Sequence, residues 1–239
     1  MRADGRTPTE MRPIRFQRHF TRTAPGSVLA EFGETRVLCT ASIDENVPPF
    51  LNNSGKGWIT AEYSMLPAAT QHRRAREGRR GPIDGRTQEI QRFIGRAMRA
   101  AVDLTAMGER TIWLDCDVLQ ADGGTRTTAI NGAFVALVDC FRYLEAQRNL
   151  KGSPIRNSVG AISVGIFEDE VLSDLCYIED SRAEVDMNVV MTDKGDYIEL
   201  QGVAEGAPYG PDQLNAMLEM AKNSIEEIFR IQNAALEEI

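Results

Sequence analysis

"LQADGGTRTTAINGAFVALVD" (119–139) is a polar run with two glycines, three threonines and an arginine that feeds straight into an apolar helix. Gly123 and Gly124 can adopt positive φ, which lets successive backbone N–H groups converge on a small anion. Thr125, Thr127 and Thr128 supply hydroxyl donors, and a threonine here can cap the helix. The helix start contributes unpaired N–H groups and the positive end of its dipole, and Arg126 adds a fork matched to phosphate oxygens. A glycine turn with an N-capping threonine would account for the glycines and one threonine, but it leaves Arg126 without a role. The stretch lacks the lysine of GxxxxGK[ST], and no GxGxxG occurs in the chain. It reads as a phosphate or carboxylate site.

Around it the elements alternate in kind. SVLAEF (27–32) and TRVLCTASI (35–43) flank Gly33-Glu34, which predicts a hairpin, and WITAEYSML (58–66) and TIWLDCDVL (111–119) have the same β-rich composition. Between those two, Ile90, Ile94, Ala97 and Ala101 recur at helical spacing, with Arg92, Arg96 and Arg99 lining the other side. Ile130, Phe134, Leu137, Phe141 and Leu144 predict a second amphipathic helix. KGSPIRNS (151–158) is the best break, dividing the chain into 1–150 and 151–239. Beyond it lie VGAISVGIF, a predicted strand VLSDLCYIE, then VDMNVVMT and DYIELQGVA joined by Asp193-Lys194-Gly195. A long helix from Pro211 places Leu214, Leu218, Ala221, Ile225 and Phe229 on one face. Strands followed by helices in each half predict α+β layers rather than a doubly wound parallel sheet.

Net charge is −8 over 239 residues, which by itself argues against a nucleic-acid partner. Its distribution argues the other way. Residues 1–22 hold arginines at 2, 6, 12, 15, 18 and 22 against Asp4 and Glu10. Residues 71–99 hold arginines at 73, 74, 76, 79, 80, 86, 92, 96 and 99 against Glu77, Asp84 and Glu89. Two basic segments on an acidic body predict a localised polyanion site, or else surface charge and subunit contacts. Cys39, Cys116, Cys140 and Cys176 form no CxxC pair and read as buried free thiols of a reducing cytoplasm. No apolar stretch reaches the ~20 residues of a membrane span, and the hydrophilic start has no signal-peptide core. His19 and His72 are too few for a histidine-rich metal site, and the aromatic content of 7% is too low for a broad base-stacking platform.

"CYIEDSRAEVDMNVV" (176–190) places Asp180 and Asp186 six residues apart. On one straight strand they would stand ~20 Å apart, whereas a reversal at 181–184 would bring them to ~5 Å across a hairpin. Carboxylates that close repel unless a cation bridges them or one is protonated, and Mg²⁺ with oxygen ligands is the plausible guest. The alternative is a hairpin with ordinary surface acids.

"RADGR", "GSVLAEFGETRVLCTASI", "GWITAEYSMLP", "GRTQEIQRFIGRAMRAAVD", "LDCDVLQADGGTRTTAINGAFVAL", "YIEDSRAEVDMNVVMT" and "LQGVAEGAPY" come in order over about residues 2 to 236. Together they resemble the bacterial ribonuclease PH family. The resemblance implies two ribosomal-protein-S5-like βαβα units in a homo-hexameric ring of dimers. It also implies a phosphate-dependent 3′→5′ exoribonuclease that trims tRNA precursors and other RNA 3′ ends, releases nucleoside diphosphates and runs in reverse.

Carried over position by position, the resemblance puts inorganic phosphate, the co-substrate, on Arg86, Gly124, Thr125 and Arg126. It puts a divalent metal, Mg²⁺ or Mn²⁺, and proton transfer to the leaving 3′ oxygen on Asp180 and Asp186. Arg73, Arg74 and Arg76 fall where the tRNA body is guided, and Arg92, Arg96 and Arg99 fall where the site or subunit contacts are supported. Ala3 stands where the family commonly has proline, and Ala68 where a basic residue often follows MLP, which bears on how tRNA is gripped. A non-catalytic RNA-binding ring subunit would have no need of both the anion residues and the acid pair. A metal-dependent hydrolytic nuclease would have no need of a dedicated phosphate site.

Overall fold

Gly33 takes a φ of +56°, closing the predicted hairpin between β2 (Gly26–Phe32) and β3 (Thr35–Asp44). The computed structural model describes residues 2, 4–76, 83–147, 149–150, 152–206 and 208–238. Strand β1 (Ile14–Arg18), too short to stand out by pattern, pairs antiparallel with β2 at one edge of the first sheet. β3 pairs antiparallel with β5 (Thr111–Gln120). β4 (Trp58–Met65) runs parallel to β5 and is joined to it across α1 (Gly85–Ala101). The sheet order is β1-β2-β3-β5-β4.

The second sheet contains β6 (Val159–Phe167), β7 (Glu170–Ser173), β8 (Val185–Thr192) and β9 (Tyr197–Ala204), in the order β7-β6-β8-β9, and is antiparallel throughout. The α+β class stands. The halves share a sheet backed by helices, but a β8–β9 hairpin occupies the second where the first has the β4–α1–β5 crossover.

Helix α2 (Thr125–Ala146) departs from its predicted one-sided burial. Ile130, Phe134, Leu137, Phe141 and Leu144 are buried, and so are Ala129, Ala133, Ala136 and Cys140 on its other sides. It lies between the two sheets. A side chain at Gly132 would press within 2.7 Å of Cys39 Sγ on β3, and Asn131 bonds both the carbonyl and the N–H of Ala161 on β6 at 2.7 and 3.0 Å. Helix α4 (Pro211–Glu237) covers the opposite face of the second sheet, where Gly160 opens onto Ile225 and Phe229. Its most buried stripe is Met217, Ala221, Ile225 and Ile228. Leu214, Leu218 and Phe229 of the predicted face lie at its partly buried margin.

The predicted strand VLSDLCYIE is cut short. β7 stops at Ser173, Asp174 turns with a φ of +52°, and Tyr177–Asp180 coil into the one-turn helix α3. Asp180 and Asp186 therefore do not face each other across a hairpin: the first ends a helix and the second lies on β8. All four cysteines are free and buried. Among the described residues no helix is long and apolar enough to cross a membrane.

Candidate oxyanion and carboxylate site

The start of α2 is held open. Its N-cap is Gly124, at a φ of +64°, with no side-chain capping bond. The capping threonine expected from the sequence is not there, because the Thr127 hydroxyl donates to the Gly124 carbonyl at 2.9 Å instead. The first-turn N–H groups are thus left for another acceptor. Tyr63, buried on β4, donates its hydroxyl to Thr125 Oγ1 at 2.9 Å, which leaves the Thr125 proton free to be donated onward. The glycine loop is pinned from β3: Thr35 Oγ1 donates to the Gly123 carbonyl at 2.7 Å and accepts the Asp122 N–H at 2.9 Å.

Arg86, Gly124, Thr125, Arg126, Asp180 and Asp186 all line one cleft of about 970 Å³. Arg86 enters from the first turn of α1, whose N-cap Asp84 likewise makes no side-chain capping bond. Arg126 Nη1 donates to Gln201 Oε1 at 3.2 Å, and Gln201 in turn donates to Glu199 at 3.0 Å. Arg96 grips the same Glu199 at 2.8 Å, so it supports the site at second hand.

Among the other predicted RNA contacts, Arg74 reaches the cleft, while Arg73, Arg76 and Arg92 are exposed outside it. Arg99 lies ~20 Å along α1 from Arg86. There it stacks 4.4 Å over Trp58 and donates to the Ile59 carbonyl at 2.8 Å. Ala68 is exposed just after β4, whereas Ala3, Arg79 and Arg80 lie outside the described residues.

The acid pair is half-buried in the cleft wall. Burial raises the Asp180 pKa, opposed by the charges of Arg126, Arg86 and Arg12. Burial and then the Asp180 charge push Asp186 up to about 6, against the pull of Arg126 and Arg86 and a bond from Asn188. Asp186 Oδ1 is buried with no hydrogen-bond partner among the described residues. Two crowded carboxylates, one with an orphaned oxygen, suit a hard cation that takes its remaining ligands from water and substrate. No group of three or more His, Cys, Asp or Glu among the described residues could hold a metal by itself.

Four of the six N-terminal arginines, Arg2, Arg6, Arg12 and Arg18, are engaged inside the fold, while Arg15 and Arg22 are exposed. Arg2 clasps Glu179 with bonds of 2.8 and 2.7 Å, and burial's tendency to raise Glu179 is outweighed, so its pKa stays below the usual range. Arg12 donates to both oxygens of Asp174, at 2.9 and 2.7 Å, and to the Asp122 carbonyl at 2.5 Å. Arg6 bonds Asp4 and Asp174, and Arg18 bonds Asp139. The Arg2 and Arg12 contacts tie α3, which carries Asp180, to the loop that carries Gly124. Glu179, buried beneath Arg2, is the internal anchor of α3. Tyr63, Gln201 and Asn188 were missed by sequence reasoning, since each is marked only by its place in the fold.

Residues 10–142 match domain 1 of the 3′ exoribonuclease family, and residues 157–224 match its domain 2. Rice (Oryza sativa) Rrp46 has a similar structure, with a TM-score of 0.81 and 22% identity over 99% of this chain and 100% of that one. The Archaeoglobus fulgidus exosome with RNA bound to its active site gives a TM-score of 0.81 at 20% identity, over 96% of this chain and 91% of that one. An archaeal exosome core gives 0.77 at 19%, over 97% and 91%. With both domain matches in order along the chain, this protein belongs to the 3′ exoribonuclease family, that of RNase PH.

Proposed function

We propose that the chain is a phosphorolytic 3′→5′ exoribonuclease of the bacterial ribonuclease PH kind, acting on tRNA precursors and other RNA 3′ ends. The observation that carries this reading is the uncapped start of α2, flanked by Arg86 and Arg126, sharing one cleft with two half-buried carboxylates. Inorganic phosphate takes the open N–H groups of α2, the Thr125 hydroxyl and the two guanidinium groups. One of its oxygens attacks the last phosphodiester phosphorus roughly in line, the bond to the 3′ oxygen breaks, and that oxygen takes up a proton. Arg86 and Arg126 stabilise charge on the equatorial oxygens. The acid pair, on the same cleft, assists that proton transfer.

Asp180 and Asp186 would hold Mg²⁺ or Mn²⁺, and the metal, when bound, supplies further charge neutralisation at the phosphoryl oxygens. One phosphate linkage replaces another, so the reaction runs readily both ways. Arg73, Arg74 and Arg76, exposed beside the cleft, guide the RNA body. We read residues 1–150 and 151–239 as the two domains, a homo-hexamer as the working assembly and the cytoplasm as its place.

A metal-dependent hydrolase would use the acids but leave the α2 site without a purpose. Incubating the protein with 3′-labelled single-stranded RNA and Mg²⁺, with and without inorganic phosphate, tests the reading. Nucleoside diphosphate released only with phosphate supports it. Monophosphate released regardless of phosphate rejects it.

A further inference from the structure

Strand alternation sends Gly160 of β6 toward α4 and Ser163 toward α2. Ser163 is only 2% exposed, lines the cleft, and its hydroxyl has no hydrogen-bond partner among the described residues. A methyl group built on Gly124 would sit 3.2 Å from Arg12 Nη2, 3.4 Å from Thr127 Oγ1 and 3.6 Å from Ser163 Oγ. Two of these three groups are already committed. Arg12 Nη2 holds Asp174 and Thr127 Oγ1 holds the Gly124 carbonyl. Ser163 alone of the three is unspoken for. The strand register pairs Ser163 with Asn188 and Gly165 with Asp186, so Ser163 lies on the Asp186 side of the sheet, ~7 Å along the strand.

An unpaired buried hydroxyl is costly in a core. This one lines the same cleft as the open end of α2 and the carboxylate pair, close to Gly124. We infer that Ser163 is a substrate-contacting residue whose hydroxyl donates to the oxyanion seated at the start of α2. The inference rests on the phosphate-site reading above and adds a donor from the second sheet, so that the anion is gripped from both halves of the chain. Among the described residues the hydroxyl has no protein acceptor, and the anion would supply one. Removing it therefore has opposite effects on the empty and the loaded protein.

The test is calorimetric titration of the metal-free protein with inorganic phosphate in a non-phosphate buffer at fixed ionic strength, alongside thermal unfolding. Ser163→Ala is expected to bind phosphate about tenfold more weakly, the loss of one hydrogen bond to a charged group. Its phosphate-free melting temperature is expected to be equal to or above that of the unsubstituted protein. Should the alanine variant fail to fold, Ser163→Cys keeps the branching with a slightly larger atom, weakens the donor and is read the same way. Equal phosphate affinities in variant and unsubstituted protein overturn the role of Ser163 while leaving the phosphate site intact. No phosphate binding by the unsubstituted protein overturns the site and this inference together.

Discussion

Arg12 and Arg126 are brought close to the same glycine loop, yet they serve opposite ends. Arg12 is buried and fully engaged: both Asp174 oxygens and the Asp122 carbonyl take its donors. Arg126 gives one nitrogen to Gln201 and otherwise faces the cleft with Arg86. The same split separates Arg2, Arg6 and Arg18 from Arg73, Arg74 and Arg76. In a folded protein an arginine run is either a ligand surface or an internal strut. Which of the two it becomes depends on acids that lie far away in sequence.

The largest effect expected from this contrast is on stability. Arg12→Ala should cost about 3 kcal/mol, because it takes the two-pronged partner from buried Asp174 and leaves it only a longer bond from Arg6 and one backbone N–H. Urea unfolding measures this, and a loss below about 1 kcal/mol would erase the distinction between strut and ligand arginine. Arg126→Ala and Arg86→Ala should instead leave stability within about 1 kcal/mol. They should lower phosphate-dependent nucleotide release about 10²–10³-fold in kcat/KM. Unfolding of either variant alongside its loss of activity would move it into the strut class.

The acid pair gives a pH test. The Asp186 pKa, at about 6, lies above the ordinary carboxyl value, so its proton favours the folded state. The Asp186 contribution to the stability of the metal-free protein should therefore fall as pH rises from about 4 through 6 and then level off. Asp186→Asn should flatten that limb in a melting-temperature series, and an unchanged limb would place the titration elsewhere. The smallest effect is electrostatic. Replacing Arg73, Arg74 and Arg76 together should leave melting unchanged and weaken RNA binding. The slope of log affinity against log salt should drop by about 0.7 for each RNA phosphate that is no longer neutralised.

Much of the fold could be read from pattern. The β2–β3 hairpin follows from Gly33 between alternating strands, and α1 follows from Ile90, Ile94, Ala97 and Ala101. The burial of α2 was under-read. Its stripe of large residues drew attention, while Ala129, Ala133, Ala136 and Cys140 on its other sides carried the signal of a helix enclosed by two sheets.

Helix α3 was out of reach. Four residues carry no periodicity, and it is anchored by Arg2, 177 positions from Glu179. A hairpin was therefore expected where a helix end and a strand bring Asp180 and Asp186 into one cleft. The anion residues were legible because their chemistry is local: two glycines at positive φ, a threonine and an arginine at one helix start. Arg86 was placed by resemblance, and Tyr63 and Gln201 needed the strands to be paired.

The central claim is that phosphate held at the start of α2 is the nucleophile. The most direct measurement supplies ³²P-labelled inorganic phosphate with unlabelled RNA to the unsubstituted protein and to Arg126→Ala, and follows the label. Labelled nucleoside diphosphate should come from the first and close to none from the second. Unlabelled nucleoside monophosphate from the unsubstituted protein, with the label remaining as inorganic phosphate, would contradict it.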